Sequence, residues 1–523
     1  MPKRQMPKRT ALMLVSLLFV VIYTASTAVT LTVTADGGFL FLHSADPNSS
    51  KGTVGTPDTS EISSHPRYDT SKTDSSNDFL DFEASSEEET PKDDSSNENS
   101  VGGTSSYSSS KTEGTVSSGG SGSGSVSAGS GSGNGSGGGS TGTVTPPPSI
   151  PTVKPATNNF TSAIWISVFD MANAGLKSMN STQFQSMIDK MFDNSVSIGI
   201  DTVFCQVRPY GDAFYKSSYF PYSKFLTGTQ GKDPGYDPLK IMVASAHKRG
   251  LKIHAWINPY RISTDSASIS SLADSNQAKK WLTGPDTSKH RYVLTHGNGL
   301  YYNPAVTEVQ RLIINGIREI CQNYDVDGIH IDDYFYPDNV TPDFDRIEYE
   351  ASGTSLGLAD WRRANVNALV SGIYSAVKSY GLTFSISPTG NTDRNYSELY
   401  ADVKKWISTP GYTDCIIPQI YFGYEYPNAK YAYAKLLDDW MKLSRLSSVD
   451  ILIGLGNYKI DTVDSGSREW CEKNDIIARQ TSDAYSKKAD GVVLFSYGSV
   501  FGSSSNQRTQ TAKFKETINA LKD

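Results

Sequence analysis

Val326-Asp-Gly-Ile-His-Ile-Asp-Asp-Tyr-Phe-Tyr-Pro337 reads as a short buried strand that stops on adjacent carboxylates. Side chains alternate along a strand, so Ile329 and Ile331 share one face and His330 and Asp332 the other. Asp333 falls at or beyond the strand's end. With the isoleucines packed under helices, Asp332 points into the mouth of a barrel. Taken alone, the two acids are equally compatible with capping the next helix or pairing with an arginine, so the rest of the chain has to decide.

Outward from this stretch, apolar runs of five to seven residues alternate with longer amphipathic segments, the texture of repeated βα units with parallel strands. Eight strands are expected: Ala163 to Phe169, Asp201 to Val207, Leu251 to Ile257, Val326 to Asp332, Leu382 to Ser387, Asp414 to Ile420, Ile451 to Leu455 and Gly491 to Ser496. Helical segments follow them at Thr182 to Ser197, Pro238 to Arg249, Ala305 to Asn323, Ala359 to Tyr380, Glu398 to Ser408, Ala429 to Leu446, Asp475 to Lys488 and Thr509 to Leu521. Eight such units predict an α/β fold, a (β/α)8 TIM barrel with long βα loops over residues 159–523. An open doubly wound sheet is disfavoured because no Gly-rich phosphate turn follows the first strand.

The N-terminal part is of another kind. Lys3, Arg4, Lys8 and Arg9 precede an apolar run and then small residues, the order of a secretory signal over residues 1–35. With Ser and Thr tolerated, the run is long enough to remain as an uncleaved anchor. An exported, extracellular or cell-surface protein is expected, touching membrane only through this segment. Residues 36–158 are rich in Ser, Gly, Thr and acids and cannot bury a core, so a disordered tether is expected there. Such a tether has an end-to-end distance on the order of 60 Å, enough to search a thick polymer. The net charge of -7 and the absence of a basic patch argue against a nucleic-acid partner. Cys205, Cys321, Cys415 and Cys471 have neither disulfide-scaffold nor zinc spacing and read as small buried hydrophobes.

In a barrel of this type the chemistry gathers at the C-terminal ends of the strands. The tips deliver Phe169-Asp170-Met171, Gln206 and Arg208 on one face, His254, Trp256 and Asn258 in register with Tyr260 and Arg261 beyond, Asn303 in the following loop, Ser387, Gln419 and Tyr421, Tyr458, and Tyr497. Aromatic rings beside Asn, Gln, Arg and carboxylates suit a sugar, whose C–H faces stack on rings and whose hydroxyls need directional hydrogen bonds. Glycosidic cleavage normally takes two carboxyl groups. The candidates are Asp170, Asp212, Asp332, Asp333, Asp393 and Glu425, with none at the tip of strand five. Either Asp332 acts with a second acid, Asp333 first, or the sugar's own N-acetyl oxygen is the nucleophile. The two options stay open. His254, His330 and Asp332 could be imagined as metal ligands, but the His-x-His pair of metal-dependent barrel hydrolases is missing from strand one. No metal and no cofactor is expected, and the histidines read as substrate-contacting or hydrogen-bonding groups.

Ile164-Trp-Ile-Ser167, Asp201-Thr-Val-Phe-Cys-Gln-Val-Arg208, Gly250-Leu-Lys-Ile-His-Ala-Trp-Ile-Asn-Pro-Tyr260, Tyr302-Asn-Pro304, Asp327-Gly-Ile-His-Ile-Asp-Asp-Tyr334 and Pro418-Gln-Ile-Tyr421 together resemble the family 10 glycosyl-hydrolase-like proteins, exported bacterial barrels. Asp327-Gly-Ile-His-Ile-Asp332 is also similar to the strand-four motif of α-amylase-type enzymes, whose final Asp is the nucleophile. The first resemblance implies a glycoside hydrolase acting on bacterial cell-wall glycan, whose N-acetyl groups suit substrate assistance. On this basis Asp332 and Asp333 are the expected catalytic pair. Gln206, Arg208, His254, Asn258, Tyr260, Asn303, His330, Gln419, Tyr421 and Tyr497 are the expected substrate contacts. The expected partner is polysaccharide, an N-acetyl-sugar cell-wall glycan. The alternative is a barrel that binds glycan and anchors the chain to the wall without cutting.

Overall fold

The structure, a computed structural model, describes residues 150–154, 158–263 and 266–523, and no side chain between 264 and 268. The expected signal segment and nearly all of the expected tether lie outside these residues. Among the described residues there are eleven strands: β1 (Thr161–Ile166), β2 (Thr202–Arg208), β3 (Lys252–Ile257), β4 (Arg261–Ser263), β5 (Val293–His296), β6 (Gly299–Tyr302), β7 (Gly328–Ile331), β8 (Thr383–Ile386), β9 (Cys415–Ile416), β10 (Asp450–Leu455) and β11 (Gly491–Leu494). Eight of them close a parallel barrel in the order β1-β11-β10-β9-β8-β7-β3-β2. A helix follows each barrel strand on the outside: α1 (Ser181–Ser197), α2 (Pro238–His247), α3 (Thr307–Asn323), α4 (Leu358–Lys378), α5 (Val403–Ser408), α6 (Tyr433–Met441), α7 (Ile476–Ser486) and α8 (Ser505–Lys522).

Alternation along the strands builds two cores. Val203, Cys205, Ile329 and Ile331 face outward and pack in the large cluster beneath the helices. Trp165, Phe204, Trp256, Ile417, Val493 and Phe495 face inward and fill the barrel. Each fully buried side chain of this size contributes about 1.5–3 kcal/mol. In α3, Val309, Leu312, Ile313, Gly316, Ile317 and Ile320 are buried at three- and four-residue spacing, the stripe an outer helix needs. Gly316 is required there, since a Cβ would meet the Phe220 ring at 2.5 Å. Cys205, Cys321 and Cys415 are buried free thiols and Cys471 is half-buried.

Two strand bounds are corrected, and one loop proves to have structure of its own. The first strand stops at Ile166 instead of running to Phe169, because Ser167 and Asp170 form a reciprocal capping box that opens a short helix over Val168–Asn173. The sixth barrel strand is reduced to Cys415–Ile416; Pro418 has no N–H for a ladder, and the alignment continues only as bridges from Gln419 to Thr389 and Gly454. The loop after β3 folds into an antiparallel sheet of its own, in the order β4-β6-β5.

The N-terminal face of the barrel repeats one device four times. Asp201, Asp327, Asp414 and Asp490 each stand just before a barrel strand and accept the backbone N–H of Ser162, Ile253, Phe384 and Ile451 on the neighbouring strand. Each is also met by a cation or histidine from the helical layer: Lys522, His247, Lys378 and Arg445. These acids satisfy strand-start donors that the ladder leaves over.

At the opposite face, Asp170 closes the seam between the first and last strands. Its Oδ2 accepts from Ser167 N and Oγ at 2.8 and 2.7 Å. Its Oδ1 accepts from Ser496 Oγ at 2.9 Å and Gly498 N at 2.8 Å. Burial pushes this carboxyl above the ordinary range and the four donors oppose that. Asp170→Asn turns an NH2 toward donors and should destabilise the fold by about 2–3 kcal/mol. Chemical denaturation of the variant beside the wild type checks the loss.

Candidate active site

β7 carries the centre of the mouth. His330 is fully buried and points inward between three neighbours. Trp165 Nε1–H donates to its Nε2 at 3.0 Å, Ser387 Oγ lies 3.1 Å from the same nitrogen, and Ser385 Oγ lies 2.9 Å from Nδ1. Since an indole only donates, Nε2 is an acceptor and the proton of the neutral ring sits on Nδ1. Burial, with His254 nearby, holds the ring well below its ordinary pKa, so it stays neutral. His330 is the floor of the site.

Asp332 stands one layer above it, immediately after the strand, with 3% of its surface exposed. Trp256 Nε1–H donates to Oδ2 at 3.1 Å and the Tyr334 backbone N–H to Oδ1 at 3.3 Å. Burial, reinforced by the neighbouring Asp333, raises its pKa to about 8, against the lowering pull of Trp256, Tyr334 and Arg261. At neutral pH the resting Asp332 therefore holds its proton. Asp333 is half-buried at the strand's end. Trp256→Phe removes a donor to the ionised form, so the limb of the pH–rate profile near 8 should move to higher pH. The rate at neutral pH should fall about tenfold, and a kcat/KM profile from pH 5 to 10 measures both.

Tyr421, from the strand end after β9, joins the pair. Its ring stacks on Phe495 at 5.3 Å and meets Trp165 and Tyr458 edge-on at 6.4 and 5.7 Å. Burial, followed by the charges of Tyr458, Asp333 and Asp332, holds its hydroxyl well above the ordinary range. Gln419 is half-buried on the same strand end, its Nε2 donating to Ser387 O at 2.9 Å. Gln206 and Asn258 cross-link the tips of β2 and β3 through Gln206 Nε2 to Asn258 Oδ1 at 2.8 Å, while Val168 N–H occupies Gln206 Oε1.

Other expected contacts lie elsewhere. The ladder shifts register between Gln206 and Arg208, so the two do not simply share a face; the Arg208 guanidinium lies 4.5 Å from the Phe220 ring centroid, and Nη2 reaches Pro259 O at 3.4 Å. His254 sits one layer deeper than Trp256, its ring 5.0 Å from that of Phe204 and lodged over Gly328, where a Cβ would meet it at 2.6 Å. Burial lowers its pKa to about 4. Tyr260 is fully buried in the outer core. Asn303 is taken up by its own loop, donating to Arg291 O and accepting from Ala305 N. Tyr497 turns to the helical layer, where Asn194 Nδ2 donates to its hydroxyl at 2.8 Å. Among the described residues no three His, Cys, Asp or Glu side chains gather as a metal-ligand set.

The remaining acids are also accounted for. Asp170 is the seam clamp. Asp212 is buried, its pKa raised to about 6 by desolvation, with Ser223, Lys224, Gln230 and then Arg208 opposing. Asp393 and Glu425 are exposed. Arg261 was visible in the sequence as the end of the third strand-tip run but carried no role. Its guanidinium lies 5.5 Å from the Tyr210 ring centroid and 4.8 Å from that of Tyr334, within electrostatic reach of Asp332.

Residues 161–472 match the family described as glycosyl hydrolase-like 10. Glycosyl hydrolase YngK of Bacillus subtilis (strain 168) is 36% identical over 64% of this chain and 67% of its own length. Glycosyl hydrolase DigH of Escherichia coli (strain K12) is 34% identical over 55% of this chain and 69% of its own. Among solved structures, the PgaB (BpsB) glycoside hydrolase domain from Bordetella bronchiseptica superposes with a TM-score of 0.47 at 10% identity, covering 69% of this chain and 99% of that one.

Proposed function

The chain belongs to the glycosyl hydrolase-like 10 family, and on that premise we propose that it hydrolyses O-glycosidic bonds in an N-acetyl-sugar glycan of the bacterial cell wall, or a related extracellular polysaccharide. The observation that carries the reading is Asp332, a carboxyl 3% exposed at the centre of an aromatic mouth, held by an indole N–H and coupled to a second acid. Such a perturbed pair in a strand-end site is what acid–base chemistry requires.

The substrate-assisted route fits these residues better than a double displacement on carboxylates. No acid comes from the tip of β8, and the other strand-end acids are clamped (Asp170), fully buried away from the pair (Asp212) or exposed (Asp393, Glu425). At rest the proton is on Asp332; in the reactive form it has passed to Asp333, the shallower group. The acetamido oxygen attacks C1, the C1–O bond breaks, and the Asp333 proton passes to the leaving oxygen. Asp332, ionised, takes the N–H of the forming oxazoline. Water then opens the ring at C1, Asp333 accepting its proton while Asp332 returns to the acetamido nitrogen the proton it took, so that both carboxyls are restored. Tyr421, Gln419 and the Gln206–Asn258 pair supply ring-face and hydroxyl contacts around that centre.

The basic and apolar order of residues 1–35 supports export, and the composition of 36–158 supports a tether between that segment and the barrel of 159–523. The test is release of soluble reducing ends from peptide-free peptidoglycan glycan strands by the full chain. Release supports the proposal. No release, with the protein still pelleting with the glycan, would favour a binding barrel that anchors without cutting.

A further inference from the structure

Among the described residues, no carboxylate forms an ion pair with the cation beside the acid pair, Arg261. Arg261 opens β4 and is held by pairing with Tyr301 on β6, so the small sheet inserted after β3 fixes where it stands. Tyr210 and Tyr334 flank its guanidinium at 5.5 and 4.8 Å. Rings orient a guanidinium plane and attract its charge without cancelling it. Among the described residues its Nε is buried with no hydrogen-bond partner. Arg249, Arg362 and Arg394, by contrast, each reach a carboxylate at 2.8 Å or less. Asp332 feels the charge of Arg261 but makes no ion pair with it.

A buried donor left unsatisfied is costly, and a fixed guanidinium fork matches a carboxylate in a bidentate way that lysine cannot reproduce. A mouth holding Asp332 and Asp333 would otherwise repel an anionic ligand. We propose that Arg261 receives a carboxylate borne by the sugar lying against the Tyr210–Tyr334 pair, so that the barrel selects an acidic N-acetyl glycan over its neutral counterpart. This rests on the glycan reading above and narrows it to a substrate class.

Binding tests it separately from cleavage. Calorimetric titration of the full chain compares a peptide-free peptidoglycan tetrasaccharide, whose acid is a lactyl group, with its methyl ester; a hyaluronan tetrasaccharide, whose acid is a uronate, distinguishes the two sources of carboxylate. The free lactyl or uronate acid should bind about 10- to 100-fold more tightly than the neutral ester. In Arg261→Gln that ratio should collapse to within about threefold, and Arg261→Lys should fall between. Thermal melting of both variants guards against misfolding, and the wild-type comparison needs no variant. Equal wild-type affinity for acid and ester overturns the inference. So does a ratio that survives in folded Arg261→Gln, because a charge acting only on Asp332 would not distinguish the ligands. Discrimination without cleavage would sink the hydrolase reading and leave this one standing.

Discussion

Asp332→Asn is expected to reduce product release by at least about 10³-fold in kcat, with little change in KM. Positioned proton transfer alone is worth about 10² to 10⁴, and on the substrate-assisted route the same group also stabilises the forming oxazoline. The amide can still meet the Trp256 N–H through its oxygen, so the site should keep its shape while losing the group that gives and takes a proton. A stability measurement makes the result decisive. The folded pKa of Asp332 is about 8 against an ordinary 3.8, so between those values the native protein binds a proton that the unfolded chain does not. Wild-type stability therefore falls as pH rises from about 4 to 8, by an amount on the order of a few kcal/mol. Asparagine lacks this slope. The melting temperature of Asp332→Asn relative to wild type should climb as pH rises through that window. An inactive variant whose relative melting temperature does not move with pH would mean that Asp332 is not the proton-holding member of the pair. A variant that keeps releasing product would remove Asp332 from the chemistry altogether.

The largest effect on folding is expected at Arg362, in α4. Its side chain is 1% exposed and that of its partner Asp345 0%. Nε and Nη2 both reach Asp345, at 3.0 and 2.5 Å, Nη2 also reaches Thr341 O, and Nη1 reaches Tyr400 Oη. Tyr336 Oη donates to the other Asp345 oxygen at 2.9 Å. Arg362→Met leaves a carboxylate buried with one phenol for company, and breaking such a pair costs about 3–5 kcal/mol. Urea denaturation should show that loss. Asp345→Leu combined with Arg362→Met should recover most of it, since an apolar replacement of a whole buried pair is often near neutral. The pair anchors the chain that leaves Asp333 through Tyr334 and Tyr336, so a single substitution should also lower turnover. A loss below about 1 kcal/mol in the single variant would mean that the pair is hydrated.

The barrel was legible because apolar runs and amphipathic segments alternate without interruption, and each of the eight expected strands and helices corresponds to one that forms. What the sequence concealed follows from the limits of periodicity. Ser167 and Asp170 can be read as a strand tip bearing an acid or as a capping box; the three-residue spacing was the available signal for the second. Strands of three or four residues, as in the β4-β6-β5 sheet, leave no measurable period. Alternation showed that His254, His330 and Asp332 face inward, but it carries no information on depth, and depth makes His254 packing, His330 floor and Asp332 the group at the mouth. Tyr260, Asn303 and Tyr497 stand near strand ends in sequence, yet loop geometry turns them to core, loop and helical layer. Arg261 gives no periodic signal, because a cation held between two rings is defined only by contacts distant in the chain.

The seam also sets an order of events. β1 pairs with β11, Thr161 against Gly491, and the Asp170 clamp waits for Ser496 and Gly498. A nascent chain therefore carries an open edge on its first barrel strand until nearly all of it has been synthesised, and this longest-range pairing bears the largest loop-closure entropy. The barrel cannot mature one half at a time. Its growing intermediates need shielding from edge-to-edge association, and a chain terminated shortly before residue 491 is left with an unsealed sheet, not a smaller barrel.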